Sequence, residues 1–404
     1  MGKTLTRFFA LLCAAAGLAG APSVAHATWY TLFDLGTLGA PGDWQQMHAT
    51  GLNNSGQVVG YATHFTYEPD GGVTQTTQAW VTGANGIGMT AIATLGGAWN
   101  RANGINDAGW VVGKSLTASG SEHAFVTGPN GASPRDLGTL GGSSSSAAAI
   151  NAGGQVVGTS TTATGIQRGF ISDAQAGKLH DLGSLYEGSA TATTTASAIN
   201  AAGQVTGVSR ATAPFDGTDR AFITGPNGAA MRPVSVAGEG PNTPSWGLAI
   251  NASGQTAGQT MPVDAYHRAF FAEADGSGRP LQLPVEPEGP GPALALNSWA
   301  SGLNASGQAV GYYFTASVES GLFVTGPDGS DPMPLHRESF TGLTGPLPAF
   351  SDAAAINDAG QFIASASNGH AYLISPVPEP AVVLMMVCGL GWVFWRRREA
   401  SLRA

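Results

Sequence analysis

A single segment of the form A-I-N-x-x-G-Q-V-V-G recurs along this chain and restricts its fold more than any other feature. It reads GLNNSGQVVG from Gly51, GINDAGWVVG from Gly104, AINAGGQVVG from Ala149 and AINAAGQVTG from Ala198. It continues as AINASGQTAG from Ala249, GLNASGQAVG from Gly302 and AINDAGQFIA from Ala355. The shared asparagines are Asn53, Asn106, Asn151, Asn200, Asn251, Asn304 and Asn357, with steps of 53, 45, 49, 51, 53 and 53 residues. A period of about fifty residues sustained over most of a chain marks a repeat architecture, in which each unit buries its apolar face only against its neighbours.

Each period reads as four short strands. The first ends at the Ile-Asn or Leu-Asn pair. Asn at the first and Gly at the fourth turn position then suit a type I turn followed by a glycine at positive φ, a common hairpin form. The second strand centres on pairs such as Val58-Val59 and Val156-Val157. The third is Q-A-W-V or H-A-F-V-like, as at His123–Val126 and Arg220–Ile223, and it closes on turns such as Gly128-Pro129-Asn130-Gly131. A D-L-G-T-L-G-G segment, clear at Asp136–Gly142 and recognisable at Asp181–Leu185, predicts the fourth strand. The 59 glycines and the 11% of charged residues suit a turn-rich β protein, and 43% hydrophobic residues argue against disorder.

The last unit stops at His370–Ser375 with three strands, whereas one D-L-G-T-L strand too many, Asp34–Leu38, precedes the first unit. If that N-terminal strand pairs with the C-terminal three, the array closes and leaves no exposed sheet edges. The expected fold is therefore all-β, a seven-bladed β-propeller closed by the N-terminal strand. An open β-solenoid of about seven repeats is the alternative, and it gives no reason for the permuted strand.

The propeller is expected over residues 28–376, between two different ends. Residues 1–27 read as a secretory signal: Lys3 and Arg7 precede an apolar run, and Ala25 and Ala27 frame a small-x-small cleavage site before Thr28. Residues 377–404 carry Pro378-Glu379-Pro380, fifteen apolar residues from Ala381 to Trp395, and Arg396-Arg397-Arg398. A helix of that length rises about 22 Å against a hydrocarbon core near 30 Å, so it is short for a permanent span. The arginines should stay cytoplasmic and place the body outside. The only cysteines are Cys13 and Cys388, so the body has neither disulfide nor thiolate metal site. Between Thr28 and Pro378 there are 11 basic and 24 acidic residues, which argues against a nucleic-acid partner.

Candidate chemistry is sparse. Asn-Asp at 106–107 and 357–358 starts like a calcium loop, but the further oxygen ligands are missing, and a turn accounts for both. Histidine spacing gives no zinc cluster, and neither metal nor cofactor is expected. The residue before each Ala-Phe pair is often basic: His123, Arg168, Arg220, Arg268 and His370, with Gln78 and Gly321 in the other copies. Such a position lines a channel and binds an acidic glycan, or else makes structural hydrogen bonds between blades. Asp70, Asp216, Asp219, Glu286 and Glu288 fall in loops, where carboxylates serve a glycosidase or lyase or are simply solvated.

The tail resembles the PEP-CTERM sorting signal of Gram-negative bacteria in its motif, short apolar helix and terminal basic cluster. The resemblance implies an exosortase that removes the tail, beside the signal peptidase acting at the other end, and a setting of exopolysaccharide production or biofilm. The repeats resemble the HAF family of extracellular repeats, with the name-giving triplet intact at His123-Ala124-Phe125 and nearly so at His370-Ala371-Tyr372. That resemblance implies location and architecture without an activity. The expectation is an exported cell-surface or matrix propeller, structural or binding an exopolysaccharide or envelope protein. A polysaccharide hydrolase or lyase using loop carboxylates is the alternative.

Overall fold

A computed structural model describes residues 29–39, 46–67, 71–186, 188–211, 217–262, 266–284, 296–315 and 320–377. The signal segment with Ala25, Ala27 and Thr28, the sorting motif Pro378–Pro380, the apolar run and Arg396–Arg398 lie outside the described residues. No helix among the described residues is long and apolar enough to cross a membrane.

The repeats fold into seven sheets, antiparallel throughout except for one added strand in blade 5. The fold is a seven-bladed β-propeller. The inner strands, in blade order, are Gln46–Leu52, Gly96–Ile105, Gly141–Ile150, Thr193–Ile199, Ser245–Ile250, Leu296–Leu303 and Phe350–Ile356. Each is followed outward by a second, a third and an outer strand. In blade 7 the outer strand is Tyr30–Asp34, which pairs antiparallel with Ala371–Pro376 from Tyr30↔Pro376 to Asp34↔Tyr372. The N-terminal strand thus closes the ring as the strand count requires.

Local chemistry explains the recurring motif. In each Asn-x-x-Gly turn the glycine N–H donates to the asparagine carbonyl, as from Gly56 to Asn53 at 3.0 Å, and Gly56 sits at φ +75°. The final glycine of Q-V-V-G has a different reason. A Cβ on Gly60, Gly158 or Gly207 would lie about 2 Å from the carbonyl oxygen of His48, Ser146 or Thr195 on the inner strand. These contacts sit beside a register shift, such as Ala49/Gly51, that kinks every inner strand.

The core lies between blades. The aromatic residue of each third strand packs on the preceding blade: Phe125 on Val59 and Val81, Phe222 on Val157 and Ile171. Each fully buried ring contributes roughly 1.5–3 kcal/mol. The D-L-G-T-L segment differs from its expected form. The outer strand of blade 2 is only Arg135–Asp136, and Gly141 already begins the inner strand of blade 3. The residues between them form the crossing, and Leu137 and Leu140 pack into the core between blades 2 and 3. At the N-terminus the strand likewise ends at Asp34, and Leu35 and Leu38 are buried between blades 7 and 1. Two leucines three apart are spaced to plug an inter-blade seam, which a strand would leave on opposite faces. Blade 5 also carries a fifth strand, Ser235–Val236, laid parallel to its outer strand Ser277–Pro280.

Candidate functional site

The inner strands surround an axial channel. Its turn-face end, where the Asn-x-x-Gly turns lie, holds a cavity of about 240 Å³. A second cavity of about 190 Å³ continues along the axis past a collar of Leu52, Ile105, Ile150, Ile199, Ile250, Leu303 and Ile356. The opposite end, the loop face, carries the connections between second and third strands and the crossings between blades.

The seven repeat asparagines form a closed belt around this axis. The side-chain amide of Asn53 donates to the backbone carbonyl of Asn106 at 3.0 Å, and Asn106 donates to that of Asn151 at 3.1 Å. The pattern continues through Asn151, Asn200, Asn251 and Asn304, and Asn357 donates back to Asn53 at 3.1 Å. The other side-chain atom works locally: Asn200 Oδ1 accepts from the N–H groups of Ala202 and Gln204 at 3.1 and 3.0 Å. The asparagines are buried, so both ends of each amide are matched. Asp107 and Asp358 complete the turn-face rim. Their carboxylates accept from the N–H groups of Asn54 and Ala305, and the Asn54 amide donates to both at 3.1 and 3.0 Å. No group of three or more metal-ligating side chains occurs among the described residues.

The belt is a uniform structural device. A varied set of residues lies toward the loop face, five positions before each belt asparagine. In blade order this position reads His48, Arg101, Ser146, Thr195, Trp246, Trp299 and Asp352. The residue before it is buried in blades 1 to 6, and the residue after it in all seven, whereas this one is half-buried. The paired second-strand position is also varied: Tyr61, Lys114, Thr159, Val208, Gln259, Tyr312 and Ser365. Blades 5, 6, 7, 1 and 2 are consecutive around the closed ring. Trp246, Trp299, Asp352, His48 and Arg101 therefore form one arc, facing small side chains in blades 3 and 4.

The arc has an aromatic half and a charged half. In the aromatic half His267 stands between Trp246 and Trp299, at ring distances of 5.8 and 6.0 Å. Trp299 is met edge-on by Tyr312 and by the exposed Phe314, each at 5.8 Å. In the charged half His48 stacks on Tyr61 at 4.7 Å, and the Arg101 guanidinium lies 4.6 Å over the same ring. Asp352 accepts the Ser365 N–H at 2.9 Å. Burial lowers the His48 pKa, helped by the Arg101 charge and opposed by Asp352. Burial also raises the Tyr61 pKa, so its hydroxyl remains a donor at neutral pH.

Two polar atoms here are unmatched. Arg101 Nε and His267 Nδ1 are buried and make no hydrogen bond among the described residues. Buried polar atoms without partners are rare and costly, and a site awaiting a ligand is one cause. Half-buried aromatic faces beside a few convergent polar groups are the general form of a small-molecule or sugar site.

The basic residues before the Ala-Phe pairs lie elsewhere. They sit on third strands, two strands out from the axis, and do not line the channel. His123 contacts Asp136 at 2.8 Å, Arg168 faces Asp181 at 3.9 Å, and His370 contacts Asp34 at 2.8 Å, each across to the outer strand of the same blade. Arg220 donates to Asn242 at 2.9 Å, and Arg268 pairs with Glu239 at 3.5 Å. The aspartate of D-L-G-T-L is the usual partner, which accounts for the co-occurrence of the two motifs. Of the loop carboxylates, Asp219 pairs with Arg210 at 3.6 Å, and Asp70, Asp216, Glu286 and Glu288 lie outside the described residues. The arc itself was missed from sequence, although aligning the repeats on the asparagine displays it as the column that varies most in character between two columns of mostly small residues.

No family model and no curated protein matches the chain. Solved structures similar to it include an oligogalacturonate lyase from Vibrio parahaemolyticus, at 11% identity and a TM-score of 0.48 over 87% of this chain and 97% of that one. An acylaminoacyl peptidase from Pyrococcus horikoshii matches at 9% identity and 0.46 over 79% and 48%, and TolB from Acinetobacter baumannii at 10% and 0.39 over 78% and 79%.

Proposed function

We propose that the chain is an exported, non-enzymatic β-propeller that binds glycans of an extracellular matrix through the loop-face arc. The observation that carries this reading is the half-buried cluster of Trp246, His267, Trp299, Tyr312 and Phe314, set in one arc with His48, Arg101 and Asp352. Aromatic rings present flat apolar faces to the C–H faces of sugars, and the polar groups beside them fix hydroxyl orientation. The signal segment and the PEP-CTERM-like tail supply the setting. In this reading signal peptidase cuts before Thr28, the C-terminal helix holds the chain in the membrane until an exosortase removes it, and the body reaches the envelope or matrix.

The test is calorimetric titration of the mature body with the producer's own exopolysaccharide, with product chain length followed in parallel. Saturable binding without shortening is expected, and Trp299→Ala should weaken it at least tenfold with the thermal midpoint unchanged. Shortening of the polymer would establish the hydrolase or lyase alternative instead. Absence of binding, or an unaffected Trp299→Ala variant, would sink the assignment of the arc.

A further inference from the structure

The described residues include nine arginines, and eight of them have a hydrogen-bond or ion-pair partner. Arg168, Arg210 and Arg268 face carboxylates, Arg220 an asparagine, and Arg135, Arg232, Arg279 and Arg337 backbone carbonyls. Arg101 alone has no hydrogen bond or ion pair among the described residues. It is half-buried, its Nε is fully buried, and its guanidinium carbon lies 4.6 Å from the centroid of the Tyr61 ring. A body with 24 acidic against 11 basic residues offers carboxylates in excess, yet none of those among the described residues forms an ion pair with this cation. The His48 ring, stacked on the same Tyr61, also makes no hydrogen bond among the described residues.

We propose that the Arg101–Tyr61–His48 corner binds the carboxylate of a uronic acid residue in an acidic glycan. This rests on the glycan reading of the same arc and adds its chemical class. Arg101 offers a planar fork whose two parallel N–H donors match a carboxylate. Stacking on Tyr61 holds that plane before the ligand arrives, which reduces the ordering cost of binding. Asp352 bounds the corner beyond His48. Its charge repels a second carboxylate, and its free oxygen accepts sugar hydroxyls, so the acidic group is directed to Arg101. Trp246 and Trp299 then stack on neighbouring sugar rings along the arc. The body as a whole repels a polyanion, so recognition comes from this local fork rather than from the long-range field.

The experiment titrates the mature protein with hexamers of galacturonate, of guluronate and of hyaluronan, each beside its carboxyl-reduced neutral counterpart. One acidic hexamer should bind about 10- to 100-fold more tightly than its neutral form, the effect of one charge-assisted bidentate contact. Arg101→Gln should abolish that preference and leave affinity for the neutral form unchanged, with Arg101→Lys intermediate. Arg135→Gln, a charge loss on the turn face, should behave as wild type. If acidic and neutral forms bind equally, if Arg101→Gln weakens both alike, or if sulfated hexamers are preferred, the uronate assignment is wrong while glycan binding stands. If no acidic or neutral hexamer binds, both readings fall.

Discussion

The asparagine belt makes a prediction that separates two roles held by one side chain. Asn200 Oδ1 accepts from the N–H groups of Ala202 and Gln204 and so shapes the turn. Its Nδ2 donates to Gln204 Oε1 at 2.8 Å and to the Asn251 carbonyl at 2.9 Å, and the second bond ties blade 4 to blade 5. Asn200→Ala removes all four hydrogen bonds from a site 5% exposed. At a net value of about 1 kcal/mol each, the ceiling is about 4 kcal/mol, and water entering the channel recovers part of it, so a loss of about 2–4 kcal/mol is expected. Asn200→Asp keeps both turn acceptors but faces the Asn251 carbonyl and Gln204 Oε1 with a second acceptor. Its loss of about 2–3 kcal/mol at neutral pH therefore measures the two Nδ2 bonds, of which the belt bond is one.

The aspartate variant has a pH signature of opposite sign to that of an ordinary paired carboxylate. Burial and two acceptor oxygens favour the protonated form, which supplies an O–H donor in place of the lost N–H. The folded pKa then lies above the unfolded value of about 3.9, so the cost is smallest below that value and grows as pH rises through the folded pKa. Urea unfolding of wild type, Asn200→Ala and Asn200→Asp, followed by tryptophan fluorescence at pH 4 and pH 7.5, reads both effects. An Asn200→Asp midpoint within about 0.5 kcal/mol of wild type at neutral pH would show that the belt bond adds nothing beyond the turn, and the reasoning would fail.

The close approach of each second strand predicts that Gly207→Ala, whose Cβ would sit 2.0 Å from the Thr195 carbonyl oxygen, costs more than about 3 kcal/mol or prevents soluble expression. Ala364, which holds the equivalent place in blade 7 beside an irregular register, should accept Gly at a cost of roughly 1 kcal/mol, and comparative urea midpoints decide. Because burial depresses the His48 pKa, the unfolded chain binds its proton more readily, and stability should fall as pH drops below about 6.5 toward the folded value. His48→Gln should flatten that segment of the profile, and an unchanged slope would refute the burial argument. Deleting residues 29–38 removes the outer strand of blade 7 together with Leu35 and Leu38, and exposes Ala371–Pro376 as an edge. Aggregation or unfolding is expected in light scattering, and a monomeric body of undiminished stability would overturn the closure argument. Intact-mass analysis of the exported protein should show no residues beyond Pro380, and their retention would refute tail removal.

Blade number and closure were legible in the sequence because they depend on columns that repeat. The Asn-x-x-Gly turn, the Val pair and the Ala-Phe pair impose the same local geometry in every unit, so their spacing alone gives the architecture. The D-L-G-T-L segment misled because its alternation resembles a strand, whereas in space its leucines leave the sheet and fill the seam between blades. The basic residues before the aromatic position misled differently. They recur as functional groups would, yet three of the five pair with the aspartate opposite them in the same blade, and the other two with Asn242 and Glu239.

The same geometric constraints set the arc apart from the other columns. In a closed ring the bulged inner strand fixes the small residue of the preceding A-x-G or A-x-A pattern, because the neighbouring blade approaches too closely for a larger one; a Cβ on Gly51 or Gly104 would already touch backbone of the next blade at 3.0–3.1 Å. Glycine at the end of Q-V-V-G in blades 1 to 6 and asparagine in the belt are fixed for equally geometric reasons. A column free to differ from blade to blade must face space that no neighbour fills. The position five before each belt asparagine satisfies that condition, and there the chain places two tryptophans, a histidine, an arginine and an aspartate in five consecutive blades. Packing alone would have been served by serine or threonine, as blades 3 and 4 show with Ser146 and Thr195. Large aromatic and charged groups at such a position, with unmatched buried atoms at Arg101 Nε and at His267 Nδ1 beside the two tryptophans, are the features on which the proposed glycan site rests.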